Sequence, residues 1–167
     1  PLFTAFGPGP LSQRLSQSGA RVLVTTSLLY RRKVEPLRPS LPDLAHVLVA
    51  DDANPPAGCL SLDELLREAD PGFEPPPTPG QAPALLHFTS GTTGRPKGAV
   101  HPHRAIVAQC ATSRLVLDLA PGERFWCTAD PGWVTATVYG VLGPLCAGAT
   151  LIADAEPFDA QRWYRIL

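Results

Sequence analysis

The sequence predicts an α/β fold, built from alternating strands and helices. Short apolar runs typical of strands, among them Arg21–Thr26 and His46–Ala50, alternate with segments that carry helix-start and helix-stop signals. Glycine and proline mark many of the boundaries between these segments. The chain has 167 residues, of which 44% are hydrophobic and 17% charged, with a net charge of −1, and this composition suits one domain with a sizeable core.

The first third of the chain is predicted to contain three helices around these strands. The first runs from about Pro10 to Ser18 and ends at Gly19, a residue suited to a helix C-cap. Ser27 is predicted to cap a second, short helix that ends in the cations at 31–33, which we interpret as solvated surface. The third helix begins at a capping box made by Ser61 and Glu64.

Residues 71–83 include six prolines and predict an extended connector within the domain. A ligand for a proline-recognition domain is the alternative interpretation. Beyond the connector, Ala84–Phe88 predicts a buried strand and Ala99–His101 a short paired one. Pro102 then opens a helix to Leu117. Its predicted inner stripe consists of Ile106, Val107, Cys110 and Leu117.

The last third predicts two strands and two helices. The strands are Arg124–Thr128 and Ala149–Ala153, and a buried helix covers Val138–Leu145. The final helix, from Phe158 to Leu167, has no residue that would terminate it. The chain also contains no methionine. Both observations suggest an internal piece of a longer protein.

The stretch from Phe88 to Gly98, FTSGTTGRPKG, predicts a phosphate-binding loop. Glycines let backbone N–H groups converge on an anion, hydroxyls add donors, and cations add charge. The small residues of this stretch are Thr89, Ser90, Gly91, Thr92, Thr93, Gly94 and Gly98. Lys97 supplies charge, and Arg95 is a second candidate. The alternative is an ordinary turn rich in Gly, Ser and Thr.

A Walker A loop is the related pattern that this stretch fails to match. Counting from Gly91, Lys97 occupies the position of the Walker lysine. However, Pro96 replaces the second glycine, and Gly98 replaces the Ser or Thr that would bind Mg²⁺. The loop also lies in a window, Pro75–Leu117, that contains neither Asp nor Glu. Such a window would attract a polyphosphate, although Arg104 and Arg114 are equally well explained as solvated helix residues.

Three segments together resemble the adenylate-forming superfamily, which comprises acyl-CoA synthetases, luciferases and the adenylation domains of peptide synthetases. FTSGTTGRPKG is similar to the signature loop of that superfamily. FWCTADPGWVTATVYGVLGPLCAGAT, from Phe125 to Thr150, is similar to the short-chain acyl-CoA synthetase branch, especially acetyl-CoA synthetases. The opening PLFTAFGPGPLSQRLSQSGARVLVTT resembles the same branch. The resemblance covers nearly the whole chain and is weakest over residues 51–83.

The resemblance implies that residues 1–167 are part of the large N-terminal domain of an acid–thiol ligase, without its C-terminal lid domain. Such an enzyme activates acetate or another short-chain carboxylate with ATP, releases pyrophosphate, and transfers the acyl group from acyl-AMP to CoA. It implies that Thr89, Ser90, Gly91, Thr92, Thr93, Gly94 and Lys97 hold the phosphates, with Lys97 as the catalytic residue. Trp133, Val134 and Thr135 would line the acyl and CoA channel. Mg²⁺ would be held by residues outside this chain, and the isolated chain would be inactive.

Two departures from the family pattern keep other functions open. Ala136 replaces the usual glycine after the threonine, and no acidic residue lies on the approach to the phosphate loop. One alternative is an adenylating enzyme that transfers the acyl group to a carrier protein. The WCTADPGWVT segment argues against this alternative. The other is a non-catalytic remnant that only folds or binds nucleotide. Acyl-chain length and oligomeric state are not predicted.

The remaining candidates have structural interpretations that we prefer. Four widely spaced cysteines indicate buried free thiols, and His101 and His103 indicate the start of a helix, so no metal site is predicted. Asp130 is interpreted as a helix cap, and Trp133 has packing in the core as its alternative role. Nothing indicates a nucleic-acid or membrane partner, and a cytoplasmic location is the default expectation.

Overall fold

The computed structural model describes residues 1–89, 94–156 and 158–166. Its chain divides into two units, one comprising Leu2–His103 and the other Arg104–Leu167 together with Pro1. Strands and helices alternate in both, which confirms the predicted α/β class.

The first unit contains a parallel sheet of three strands in the order β1–β2–β3. Helix α1, Pro8–Ser18, precedes β1, Val22–Thr25. Strand β1 pairs in parallel with β2, His46–Val49, which pairs in parallel with the two-residue β3, Leu60–Ser61. Val47 and Val49 are fully buried because alternate residues of a strand face the same side of its sheet. These parallel pairs fit the alternating order that the sequence predicts.

The crossover between β1 and β2 is a continuous helical segment with three geometries. It begins as α2, Ser27–Leu29, continues as a π-helix, Tyr30–Val34, and ends as a 3₁₀-helix, Glu35–Ser40. The predicted cap at Ser27 is wrong by one residue. The Thr26 hydroxyl accepts the hydrogen bond from the Leu29 backbone N–H at 3.3 Å, whereas Ser27 donates to the carboxylates of the next loop.

The core of this unit lies between α1, the helical crossover and β2. Its buried residues are Leu11, Leu15, Tyr30, Val34, Leu41, Leu44 and Val47. Arg14 is buried at the edge of this core. Its guanidinium lies 4.0 Å from the centroid of the Phe6 ring and donates to the Pro10 carbonyl at 2.9 Å, so the charge has both a ring and an oxygen to interact with.

The rest of the first unit consists of a short helix, a connector and a hairpin. Helix α3, Leu62–Glu68, is capped by Ser61, whose hydroxyl accepts from the Glu64 N–H as predicted. Residues 71–80 form no helix or strand, as the prolines indicate. Strands β4, Pro83–Thr89, and β5, Lys97–Pro102, then pair in an antiparallel hairpin.

The second unit pairs two parallel strands and packs three helical segments with them. Helix α4, Ala105–Val116, leads to β6, Arg124–Trp126, which pairs with β7, Thr150–Ile152. Between these strands the chain forms a π-helix, Ala136–Leu142, which continues as α5, Gly143–Ala147. Helix α6, Ala160–Ile166, follows β7.

The predicted inner stripe of α4 is wrong in part. Val107 is 72% exposed, and the residue that α4 buries completely is Ser113. The reason is a close helix–helix approach, because Gly143 lies directly against the Ser113 side chain. The predicted buried helix at Val138–Leu145 is also partly wrong, since Val138 is buried but Leu145 is 57% exposed.

Candidate functional site

The predicted phosphate loop joins the two strands of the β4–β5 hairpin. Thr89 and Lys97 are the last Cα partners of that hairpin, so the ends of the loop are held by strand pairing. The strand predicted before the loop is confirmed as β4, but its predicted burial is wrong for most residues, because β4 is mostly half-buried and, among the described residues, its neighbouring strand is the antiparallel β5 alone. The hairpin is therefore the local scaffold that positions the loop.

The structure describes only part of the loop itself. Ser90, Gly91, Thr92 and Thr93 lie outside the described residues. Gly94 has a φ of +81°, a conformation that side chains disfavour, which explains why glycine is needed there. The Thr89 hydroxyl donates to the Lys97 carbonyl at 3.5 Å, and the Lys97 side chain is exposed. The charged group that the sequence selects is thus available to a ligand from solvent.

Gly98 has a packing role that the sequence did not predict. A Cβ at this position would lie 2.9 Å from Leu86 Cδ1 and 3.6 Å from Phe88 Cε1. Phe88 is the Cα partner of Gly98, and Leu86 lies two residues before Phe88 on β4, so these two side chains occupy the space that a side chain at position 98 would need. Close approach to an anion is therefore not needed to explain glycine here.

His87, two residues before Thr89, is the buried polar residue of the hairpin that sequence reasoning missed. Its side chain is 4% exposed, and neither ring nitrogen has a hydrogen-bond partner among the described residues. Burial, together with the nearby His101, holds the pKa of His87 below its ordinary value of 6.5. The two rings meet edge to face, with centroids 5.4 Å apart. A histidine inside the apolar run Ala84–Phe88 was the available signal.

The arginines after the loop do not all contribute to a phosphate field. Arg114 donates from its guanidinium to the Cys146 carbonyl at 3.3 Å, which gives it a structural partner within the second unit. Arg104 occupies the position just before α4. Of the cations in the acid-free window, Arg95 and Lys97 are the two that lie on the loop itself, where a phosphate would bind.

The second predicted corner, around Trp133, lies at the start of the π-helix in the second unit. The Asp130 carboxylate accepts from the Gly132 N–H at 2.7 Å, and its carbonyl accepts from the Trp133 N–H at 2.9 Å. Asp130 thus shapes the turn that precedes the helix, and its expected role as a helix cap stays a prediction. The Thr137 hydroxyl donates to the Pro131 carbonyl at 2.7 Å and secures the turn on the helix.

The three predicted channel residues project outward from this turn. Trp133 is 57% exposed, Val134 is 44% exposed and Thr135 is exposed. Within this unit, then, Trp133 is not a core residue, which argues against its alternative role. Ala136, by contrast, is buried at 2% exposure, so the departure from the family's glycine adds a methyl group to the interior.

Other kinds of site receive no support from the described residues. They bring together no group of three His, Cys, Asp or Glu side chains that could hold a metal ion. The four cysteines are free, as predicted, although they are half-buried and not fully buried. No helix in residues 1–89, 94–156 or 158–166 has the length and apolar character required to cross a bilayer.

Comparison with known protein families decides which family this is. The family model described as AMP-binding enzyme matches residues 1–167. The chain belongs to this family. It is 41% identical to the acetyl-coenzyme A synthetase of Bacillus subtilis over 98% of its own length and 28% of the relative's length. It is 37% identical to the acetyl-coenzyme A synthetase of Mycobacterium bovis over 99% of its length and 29% of the relative's.

Solved structures of the AMP-binding family have the same fold. An acyl-CoA synthetase from Brucella canis matches 99% of this chain with a TM-score of 0.85 and 33% identity, over 30% of its own length. An anthranilate CoA ligase in complex with anthranoyl-AMP matches 97% of the chain with a TM-score of 0.83 and 25% identity. The predicted resemblance to the acetyl-CoA synthetase branch is confirmed, and the chain spans about 28% of the length of its curated relatives.

Proposed function

We propose that this chain is the phosphate-binding part of an enzyme that activates acetate or another short-chain carboxylate with ATP and passes the acyl group to CoA. The first step forms acyl-AMP and pyrophosphate, and in the second the CoA thiol displaces AMP. The observation that carries the proposal is the FTSGTTGRPKG loop with its ends fixed by the Thr89–Lys97 pair. Similarity to acetyl-CoA synthetases over nearly the whole chain supports the choice of substrates.

In this proposal the loop stabilises the charge that develops on pyrophosphate as it leaves. Adenylation asks for little covalent chemistry from the protein and depends on positioning and on electrostatic stabilisation. Lys97 would place its ammonium group beside the leaving phosphates. The N–H groups and hydroxyls of the loop would hold the remaining oxygens. These loop residues are Thr89, Ser90, Gly91, Thr92, Thr93 and Gly94.

The exposed turn at Trp133 supports the second half of the proposal. Trp133 and Val134 would cover the acyl group, and Thr135 would lie beside CoA, because these side chains project from a turn that Asp130 fixes. The family uses Mg²⁺ with ATP, and in this proposal the ligands of Mg²⁺ lie outside this chain. An enzyme that consumes ATP and CoA would work in the cytoplasm.

The test is Lys97→Ala in an enzyme that carries this sequence at the length of its relatives. Removing one preorganised charge should slow single-turnover formation of acyl-AMP about 10²–10³-fold. Arg67→Ala is the matched control, since Arg67 is an exposed cation on α3, and its rate should stay at the wild-type value. Equal rates for Lys97→Ala and the control would refute the role of Lys97.

The acceptor is tested separately. With preformed acyl-AMP, the enzyme should release AMP on addition of free CoA. Release that requires a carrier protein bearing pantetheine would favour the carrier-loading alternative. If the wild-type enzyme neither forms the adenylate nor releases AMP, the non-catalytic remnant is the interpretation that remains.

A further inference from the structure

Two cysteines that have no part in the proposed reaction lie side by side in the second unit. Cys110 is on α4 and Cys146 is on α5, and the two residues line the same cleft. Both residues are half-buried. A disulfide forms only between sulfurs that can come into contact without backbone movement, and two cysteines that line one cleft are candidates for such a bridge.

The thiol pair opens onto a cleft. The cleft has a volume of about 370 Å³ and is lined by both cysteines and by Ile106, Val107, Ala111 and Arg114. That volume falls within the range of small-molecule sites, about 300–1,000 Å³. A small thiol reagent can therefore reach the sulfurs without opening the core.

Arg114 gives the cleft one positive charge beside the sulfurs. Its guanidinium donates to the Cys146 carbonyl at 3.3 Å, so its position is fixed. Burial and the neighbouring Cys110 thiol raise the pKa of the Cys146 thiol, and the Arg114 charge opposes them. We therefore assign Cys146 the role of the resolving thiol.

We propose that Cys110 and Cys146 form a dithiol site that low-molecular-weight disulfides convert into a reversible bridge between α4 and α5. The Cys110 thiolate attacks one sulfur of the small disulfide, whose S–S bond breaks and releases one small thiol. The Cys146 thiol then loses its proton and attacks the Cys110 sulfur, releasing the second small thiol. Two protein thiols are oxidised, one small disulfide is reduced, and the two protons end on the released thiols.

A zinc site is the competing use of such a pair, and the structure does not favour it. Zinc sites in proteins use three or four ligands, whereas no third His, Cys, Asp or Glu joins the pair in the part of the chain that the structure describes. Neither cysteine belongs to the phosphate loop or to the turn at Trp133, so the inference stands or falls independently of the proposed function.

The test maps disulfides in the native 167-residue chain. The reduced protein is incubated with oxidised glutathione, quenched with N-ethylmaleimide and digested for mass spectrometry. Trypsin releases Cys110 in peptide 105–114 but leaves Cys127 and Cys146 together in 125–162, so chymotrypsin is added to cut between them. We expect a peptide pair joined through Cys110 and Cys146, about 2 Da lighter than the two reduced peptides. Cys59 and Cys127 should be recovered with the maleimide.

Three variants and a denatured sample sharpen the result. Cys146→Ser should accumulate glutathione on Cys110, since the resolving thiol is gone, whereas Cys127→Ser should still form the bridge. Arg114→Gln should slow bridge formation several-fold, because the Arg114 charge lowers the pKa of the Cys146 thiol that must ionise in the second step. In urea the selectivity should disappear. The proposal would be overturned if Cys110 and Cys146 were recovered without a bridge in the native protein. It would also be overturned if bridging were no more selective in the native protein than in urea. Both comparisons use the wild-type protein, so neither depends on a variant that folds.

Discussion

The contact between Gly143 and Ser113 predicts that Gly143→Ala destabilises the chain. A Cβ on Gly143 would overlap Ser113 Oγ and would lie 3.0 Å from Ser113 Cβ and 3.2 Å from the Val138 carbonyl oxygen. Ser113 is completely buried, so its hydroxyl cannot rotate into solvent. The Val138 oxygen accepts the hydrogen bond from the Gly143 N–H within the same helical segment, so its closeness belongs to the helix geometry and the decisive overlap is with Ser113.

Two opposing terms set the size of the effect. Gly143 has helical dihedral angles, φ −61° and ψ −53°, so alanine gains up to about 1 kcal/mol of helix propensity. Overpacking a filled site costs about 1–3 kcal/mol. Because the overlapping Ser113 side chain is completely buried and cannot move into solvent, the cost should lie in the upper half of that range. We expect a net loss of about 1–2 kcal/mol in the free energy of unfolding.

The assay is urea denaturation of the 167-residue chain, followed by far-UV circular dichroism. Gly9→Ala is the matched control, because Gly9 also lies in a helix and also precedes a proline, but a Cβ there meets nothing within 4 Å. The steric penalty on a residue before proline is shared by both variants and cancels in the comparison. Gly9→Ala should therefore shift the midpoint much less than Gly143→Ala.

A second substitution tests the cause of the loss. Ser113→Ala removes the overlapping Oγ, which has no hydrogen-bond partner among the described residues. The double variant Ser113→Ala/Gly143→Ala should recover most of the lost stability, giving a favourable coupling of about 1 kcal/mol. Equal midpoints for Gly143→Ala and Gly9→Ala, or no coupling in the double variant, would contradict the packing argument.

Three further predictions concern the first unit. Because the pKa of His87 is lowered in the folded state, the unfolded state binds more protons below about pH 6.5, so the free energy of unfolding should fall as the pH is lowered from 7.5 to 5.5. In His87→Leu that decrease should be smaller than in the wild type. If the denaturation midpoints of the two proteins depended on pH in the same way, the prediction would be contradicted. Gly19→Ala should cost about 1 kcal/mol, since Gly19 has a φ of 58°, and an unchanged urea midpoint would contradict this. Ser61→Ala should cost about 1 kcal/mol through the lost helix cap, whereas Ser61→Thr should retain most of it, as thermal melting can show.

Local signals in the sequence predicted much of the fold. Gly19 ends α1 in a left-handed conformation, Ser61 caps α3, and the residues around the phosphate loop form paired strands. Each of these features depends on neighbours a few residues away, which a single sequence displays directly. The family resemblance was equally local, since it depended on contiguous motifs.

The misses depended on contacts between distant segments. Ser113 is polar, and only the approach of Gly143, thirty residues later, makes it the buried residue of α4. The π-helices at Tyr30–Val34 and Ala136–Leu142 have no periodicity that distinguishes them from α-helices in a short window. Arg14 is buried because Phe6 and the Pro10 carbonyl surround it, and a sequence pattern assigns arginine to the surface.

For the candidate site, the sequence identified the loop and the turn but not their support. The β4–β5 hairpin positions Thr89 and Lys97 at the two ends of the loop, and Gly94 lies between them in the sequence. Trp133 lies on an exposed turn. His87 escaped notice because an isolated histidine in an apolar run carries no pattern of its own. The roles of these residues toward ATP and CoA stay predictions.

The π-helix at Ala136–Leu142 restricts how this segment can change its length. Adding or removing one residue in a helix rotates its N-terminal part by about 100° relative to its C-terminal part. Gly140 faces Cys127, and Gly143 faces Ser113, so the C-terminal part of the segment is locked in rotation. A one-residue deletion here would turn Trp133 to a different side of the helix axis. Insertions and deletions should therefore be tolerated poorly between Trp133 and Gly143, even at positions where a substitution of the side chain would be tolerated.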